Sequence, residues 1–230
     1  MDQHARTHRI VLEPQDESAK RAMRGNLWKS TRPSDRSKII DLGRSIAAKL
    51  LEEDGPGFVF FHVDGDRVWS ERTTSENVEK FDAFVRDFVR QTLDNVLRRK
   101  RRKAGEPLNE EALQHEIETA LSRLFRLTPF YSIEAWLYQN TVEARRLCGL
   151  HCGKHISAIS EWEKDRSLLD EVLKPKSKEF SCLEDRHNIV LAENGFPAES
   201  AFGAGKSYAH AVMAMLDSKE LLGALASTYA

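Results

Sequence analysis

The sequence predicts an α/β fold, and three observations carry that prediction. Two short apolar runs, RIVLE (9–13) and FVFFHV (58–63), read as strands. Between and after them, apolar residues recur at helical spacing. The segments are separated by charged or glycine- and proline-bearing breaks such as EEDGPG (52–57). Strand, helix, strand is the order of a sheet covered by helices.

RIVLE stops at Glu13, followed by Pro14, and PQDESAKRAM then opens a helix with Pro14 at its first position and Asp16 and Glu17 in its first turn. RGNLWKSTRPSDRSK reads as a polar connection in which Ser34 caps the next helix, whose apolar stripe is Ile39, Ile40, Leu42, Ile46, Ala47, Leu50 and Leu51. After the strand FVFFHV, the helical period returns from Glu76 to about Lys103. A second helix follows from about Asn109, with Leu113, Ile117, Leu121, Leu124 and Phe125 on its stripe. The pair forms a helical hairpin inserted at about 76–126. Its basic run RRKRRK (98–103) suits a solvated helix C-terminus, where positive charge is favoured, and alternatively a nucleic-acid contact. LTPFYSIEAWLYQN (127–140) passes from a Thr-Pro turn through an aromatic-rich segment into a helix. Helices then fill 141–150, 157–173 and 205–226, with 185–200 holding a short strand or a helical turn. The chain therefore reads as a single domain, 1–230, with a helical C-terminal part from about 141.

The composition fits a globular protein with a charged surface: 40% of the 230 residues are apolar and 31% charged. A formal net charge of −1 gives the whole molecule no attraction to nucleic acid or anionic membrane, so such contacts must come from local patches. No apolar run approaches the roughly 18–20 residues that span a bilayer. MDQHARTHRIVLE is too polar for a signal peptide, and three cysteines make no disulfide framework. The expectation is a cytoplasmic protein with reduced thiols.

The chemistry concentrates where FVFFHVDGDR ends. Asp64 and Asp66, two apart on a strand, project to the same side, and Gly65 between them leaves room for a ligand to approach the backbone. Two carboxylates so close disfavour joint ionisation unless a cation neutralises them, and hard oxygen ligands suit Mg²⁺. The competing reading is a turn in which Asp64 caps and Asp66 pairs with Arg67, because Asp-Gly-Asp is common in turns. Two further acids enlarge the set. Glu13 sits where a strand hands over to a helix, the edge at which open α/β sheets bind ligands. Glu134 lies among apolar neighbours in EAWL and needs a partner there, a metal or an arginine.

RIVLEPQDE followed by FVFFHVDGDR resembles the Toprim domain, the metal-binding module of topoisomerases, DnaG-type primases and OLD-type nucleases. That domain carries a glutamate after its first strand and a DxD pair after a later one. YSIEAWLYQN is similar to the EAWL-bearing segment of small bacterial Toprim-like proteins related to the OLD-type nucleases. The resemblance covers roughly the first 140 residues. Where the family has glycine after the first glutamate this chain has Pro14, and Glu17 is the nearby substitute. The resemblance implies a Toprim-like, mainly parallel central sheet flanked by helices. It further implies Mg²⁺ or Mn²⁺ held by Glu13, Asp64, Asp66 and Glu134, with Glu13 alternatively a general base. The expected activity is hydrolysis of DNA or RNA phosphodiesters in a bacterial defence setting. Arg67, Lys174, Lys176 and Lys206 are the candidates to balance phosphate charge, each lysine competing with an ordinary surface role. Several Toprim-like proteins only bind or signal. A non-catalytic interaction module working with a partner such as an ATPase is therefore the second expectation.

LCGLHCGKH (147–155) places Cys148, His151, Cys152 and His155 together. Zinc sites of this composition draw ligands from two separated segments, so buried thiols beside polar histidines are the expectation over structural zinc, with Cys182 or His187 the distant ligands if zinc binds. AFGAGKSY (201–208) lacks the first glycine of a P-loop and too little chain follows it; Gly205 there opens the last helix. No GxSxG nucleophile elbow occurs, and the four tryptophans are scattered.

Overall fold

The computed structural model describes residues 16–52, 57–65, 75–130, 132–170, 183, 187–204 and 206–228. Two strands, β1 (Val59–His62) and β2 (Leu124–Leu127), pair in parallel with Val59 opposite Leu124 and His62 opposite Leu127. Among the described residues they make the whole sheet, and everything else regular is helical. The parallel pair and its helical cover agree with an α/β reading. The proposed strand RIVLE lies outside the described residues.

Helix α1 (Glu17–Arg24) begins one turn later than Pro14 would have it, because Asp16 is the N-cap and its carboxylate accepts from Ala19 N at 2.8 Å. A tight turn follows in which Asn26 takes φ 52°, and Trp28 is carried into the core. Ser34 does not cap α2 (Arg36–Leu50): Pro33–Asp35 form a 3₁₀ turn that runs directly into it. Of the predicted stripe of α2, Ile39, Leu42, Ile46, Ala47 and Leu50 are buried and Ile40 and Leu51 half-buried, with Gly43 joining the buried set.

The hairpin starts with α3 (Glu76–Phe84), capped by Ser75, continues through a π turn at Val85–Val89 and ends as α4 (Arg90–Ala104). The π turn lies against α2 at Gly43, where a Cβ would come within 3.2 Å of Phe88 Cβ. The close approach of the two helices thus coincides with the local widening of one of them. Gly105, at φ 72°, ends α4, and α5 (Glu110–Leu121) returns under an Asn109 cap. Residues 124–127 continue the apolar spacing of α5, yet they are β2 and not its last turn, because pairing with β1 satisfies their backbone.

One face of β1 is the centre of the main core. Phe61 lies 4.8 Å from Phe81 and 6.1 Å edge-on from Trp28, with Phe84, Leu93, Leu113 and Ile117 around them. The other face carries Phe60, 47% exposed and stacked on Phe125 at 5.3 Å. After β2 come α6 (Ile133–Leu137), α7 (Thr141–His151), α8 (Ile156–Lys164), α9 (Asn188–Glu193), α10 (Ala198–Gly203), α11 (Lys206–Leu216) and α12 (Lys219–Thr228). A second core, with Tyr138 stacked on Trp162 at 5.7 Å and Leu147, Ile159 and Leu191 around it, joins α7, α8 and α9. The segment 185–200 resolves as helical at α9 and α10. The last predicted helix is broken at Asp217–Ser218 into α11 and α12. Among the described residues no helix is long and apolar enough to cross a membrane.

Candidate functional site

The β1–β2 ladder runs past the strands' formal ends. Val63 N donates to Leu127 O and Gly65 N to Pro129 O, both at 2.9 Å. Asp64 therefore stands at the carboxyl end of a parallel pair, the edge at which ligands of open α/β sheets bind. Its backbone carbonyl accepts from Asn77 Nδ2 of α3 at 2.8 Å. Its carboxylate, 31% exposed, meets His62 Nε2 at 2.9 Å and accepts from Ile133 N at 3.2 Å. Ile133 is the first residue of α6, and Glu134 is the second. The fold thus brings the Asp64 carboxylate against the residue next to Glu134, across 69 positions of sequence. Glu134 is 8% exposed and accepts from the Ser132 hydroxyl.

Gly65 does not leave an open approach to the backbone. A Cβ there would lie 2.9 Å from the ring of Phe130, so the space expected for a ligand is filled by an aromatic side chain. Phe130 N donates to Ser207 Oγ at 3.1 Å and Trp136 Nε1 to the same oxygen at 2.9 Å. Ser207 of α11, 1% exposed, thereby pins both ends of the segment that presents Glu134.

Lys206, just before it, adopts φ 65° at the start of α11, and its charge acts on Asp165. That carboxyl is held below its usual range by Ser167 first and by Lys206 in smaller part. Glu13, Asp66, Arg67, Lys174 and Lys176 lie outside the described residues, so of the predicted cluster only Asp64 and Glu134 can be placed. Among the described residues no three His, Cys, Asp or Glu side chains converge as a cation site. A cavity of about 280 Å³ between β2 and α11 is lined by Thr128, Phe130, Ser207 and His210, and Asp64 is not part of it.

His62 and Asn77 are the residues that the sequence reading missed. His62 had a usable signal: it precedes Asp64 by two, the same spacing that singled out Asp66. Asn77 had none, since its role depends on α3 folding back onto the end of β1.

The cysteine–histidine segment is dispersed. Cys148 is wholly buried on α7 in the second core, and His151 stacks on His187 with ring centroids 5.0 Å apart. Cys152 is disulfide-bonded, against the expectation of three reduced thiols, and a disulfide sulfur is not a thiolate ligand. His155 stands at the N-cap of α8.

Comparison with protein-family models, curated proteins and solved structures gave no match.

Proposed function

We propose that this protein is a Toprim-like, Mg²⁺- or Mn²⁺-dependent hydrolase of DNA or RNA phosphodiester bonds, the activity its sequence resemblance implies. One observation supports the reading above the rest: Asp64, at the carboxyl end of a parallel strand pair, is hydrogen-bonded to the segment that carries Glu134. The carboxylates supply two of the hard oxygen donors that Mg²⁺ takes, and Glu13 and Asp66 would complete the set. A cation bound there supplies charge neutralisation to the phosphodiester and acidifies an attacking water. Asp64, partly open and oriented by Ile133 N and His62, is the group able to reach a ligand. Glu134, held by Ser132, supports the site from the buried side. Arg67, Lys174, Lys176 and Lys206 are the cations proposed to face the phosphates. A bacterial defence setting belongs to the same proposal.

The test is incubation with plasmid and single-stranded DNA and RNA in Mg²⁺ or Mn²⁺, beside Asp64→Ala. Cleavage by the wild type alone is the expected result; equal cleavage by both proteins marks a contaminant and ends the reading.

A second reading, a non-catalytic module that binds a protein partner such as an ATPase, is favoured by a separate observation. Val142 and Leu150 of α7 are 71% and 67% exposed, and Met213, Leu216, Leu222 and Leu225 of α11 and α12 are also open to solvent. Absence of cleavage in every substrate, together with stable folding, moves the conclusion to this reading.

A further inference from the structure

Apart from Lys100, which has an interaction of its own, the basic residues of α4 fall into two groups, one paired and one not. Arg90, Arg98 and Arg101 are spent within the hairpin, pairing across to α5 with Glu118 at 2.6 Å, Glu110 at 2.7 Å and Glu116 at 2.8 Å. Asp94, the carboxylate of α4 itself, is also taken by Arg98, at 2.8 Å. Arg99, Arg102 and Lys103 are exposed, and among the described residues their side chains enter no ion pair or hydrogen bond.

Helical geometry separates the groups. At 3.6 residues per turn, Asn95, Arg99, Arg102 and Lys103 share a stripe distinct from both the α5-facing stripe and the core stripe of Leu93 and Leu97. No carboxylate of α4 lies on it. Positive charge is favoured at a helix C-terminus in any case, so what marks this stripe is the partner state of its cations: they are exposed and carry no carboxylate beside them on α4. Asp94, the one acid of α4, is paired with Arg98 on the side that faces α5, and the charges of the remaining stripe are all positive.

We infer that this stripe at the tip of α4 is a docking surface for the phosphate backbone of a nucleic-acid duplex. It is a sequence-independent contact, and it stands apart from whether Asp64 supports cleavage. Its position adds a length requirement. Lys103 is 26 residues beyond Asn77, which holds the end of β1, and at 1.5 Å per residue the two are roughly 40 Å apart along the helix. A duplex touching both the tip and the Asp64 edge must therefore extend over about one helical turn of DNA.

The experiment is fluorescence anisotropy of a labelled duplex of about 20 base pairs in chelating buffer, with salt varied from about 50 to 300 mM. Chelation keeps cleavage out of the measurement, so failure of the hydrolase proposal leaves this result readable. The triple variant R99A/R102A/K103A is expected to bind about tenfold or more weakly. Its slope of log affinity against log salt is expected to fall by about 2 to 3, since each phosphate contact contributes about 0.9. R99K/R102K/K103R, which keeps the charges, is expected to retain both. Circular dichroism of the variants confirms that the hairpin persists. An unchanged slope in the alanine variant, or no wild-type binding at the lowest salt, overturns the inference.

Discussion

Two cores among the described residues, the larger pair of three apolar clusters, are built on different principles. The first, around Phe61, Phe81, Phe84 and Trp28, is almost wholly apolar and is organised by aromatic edges and faces against one side of the sheet. The second, around Tyr138, Ile159 and Leu191, is smaller and is stitched by buried polar groups. Asn140 Nδ2 donates to Leu191 O at 2.9 Å and to Asn194 O at 2.8 Å, while its Oδ1 accepts from Glu143 N. The difference teaches where stability and where specificity reside. Apolar burial supplies most of the favourable free energy, and buried polar contacts mainly decide which arrangement is adopted, because leaving them unmade is so costly.

The comparison is broken most directly in the aromatic core. Phe84→Ala removes a 2% exposed ring from among Phe61, Phe81 and Phe88 and is expected to cost about 3–5 kcal/mol in urea unfolding. Loss of less than about 1 kcal/mol would mean that this core is loosely packed. In the second core the equivalent test is polar. Asn140→Ala forfeits the α7 cap and strands two carbonyls, for an expected cost of about 2 kcal/mol, most of it desolvation without a partner. Asn140→Asp is the sharper variant, since it keeps the cap acceptor but removes the amide donors; if it is as stable as wild type, the stitching is not what holds α9.

The same contrast separates what could be read in the chain from what could not. Helices α2, α3, α4 and α5 follow from apolar spacing because each buries one stripe in the first core. β2 was hidden by that same rule: Leu124 and Phe125 keep step with Leu121, and only pairing with β1, some 65 positions away, makes them a strand. In the second core, α7 and α8 answer to the helices predicted at 141–150 and 157–173, while α9, six residues long, falls where the sequence leaves strand and helical turn open, and the buried Asn140, Glu143 and His187 carry no pattern of their own. At the candidate site, Asp64 follows from strand alternation and Glu134 from its apolar neighbours, and the resemblance to Toprim motifs adds only their grouping. Ser207, 77 positions from the Phe130 it holds, was read merely as part of a helix start. Local pattern reports local structure, and contacts closed over long loops leave no trace in it.

A third experiment sharpens the polar side of the comparison through pH. The Arg146 guanidinium, with bonds of 2.6 and 2.8 Å, holds the Glu143 carboxyl below its ordinary value. Desolvation opposes it, and Asn194 adds a smaller pull in the same direction. A carboxyl depressed in the folded state binds its proton less readily than in the unfolded chain. Its stabilisation is therefore present above the unfolded value near 4.5 and is lost as pH falls through the lower folded value. Thermal melting from pH 6 down to about 3 should show a drop for wild type that Glu143→Gln reduces, with the aromatic core's variants unaffected in slope. Identical pH profiles would leave Glu143 without a role in acid sensitivity.

The smallest expected effect lies back in the first region, at the turn that seats Trp28. Asn26 adopts φ 52°, a left-handed conformation that asparagine tolerates better than most residues and glycine tolerates freely. Asn26→Ala is expected to lose about 1 kcal/mol, while Asn26→Gly stays within a few tenths of wild type, because glycine recovers in the fold what it adds to unfolded-chain entropy. The order of the two variants matters more than either value. Were alanine equal to glycine, the turn would not be left-handed in solution. Trp28 would then reach its edge-on contacts with Phe61 and Phe81, at 6.1 and 5.8 Å, by another path. If glycine is the better of the two, the aromatic core is fixed in part by a backbone conformation that no hydrophobic pattern records, and even its apolar order depends on a polar residue at its entrance.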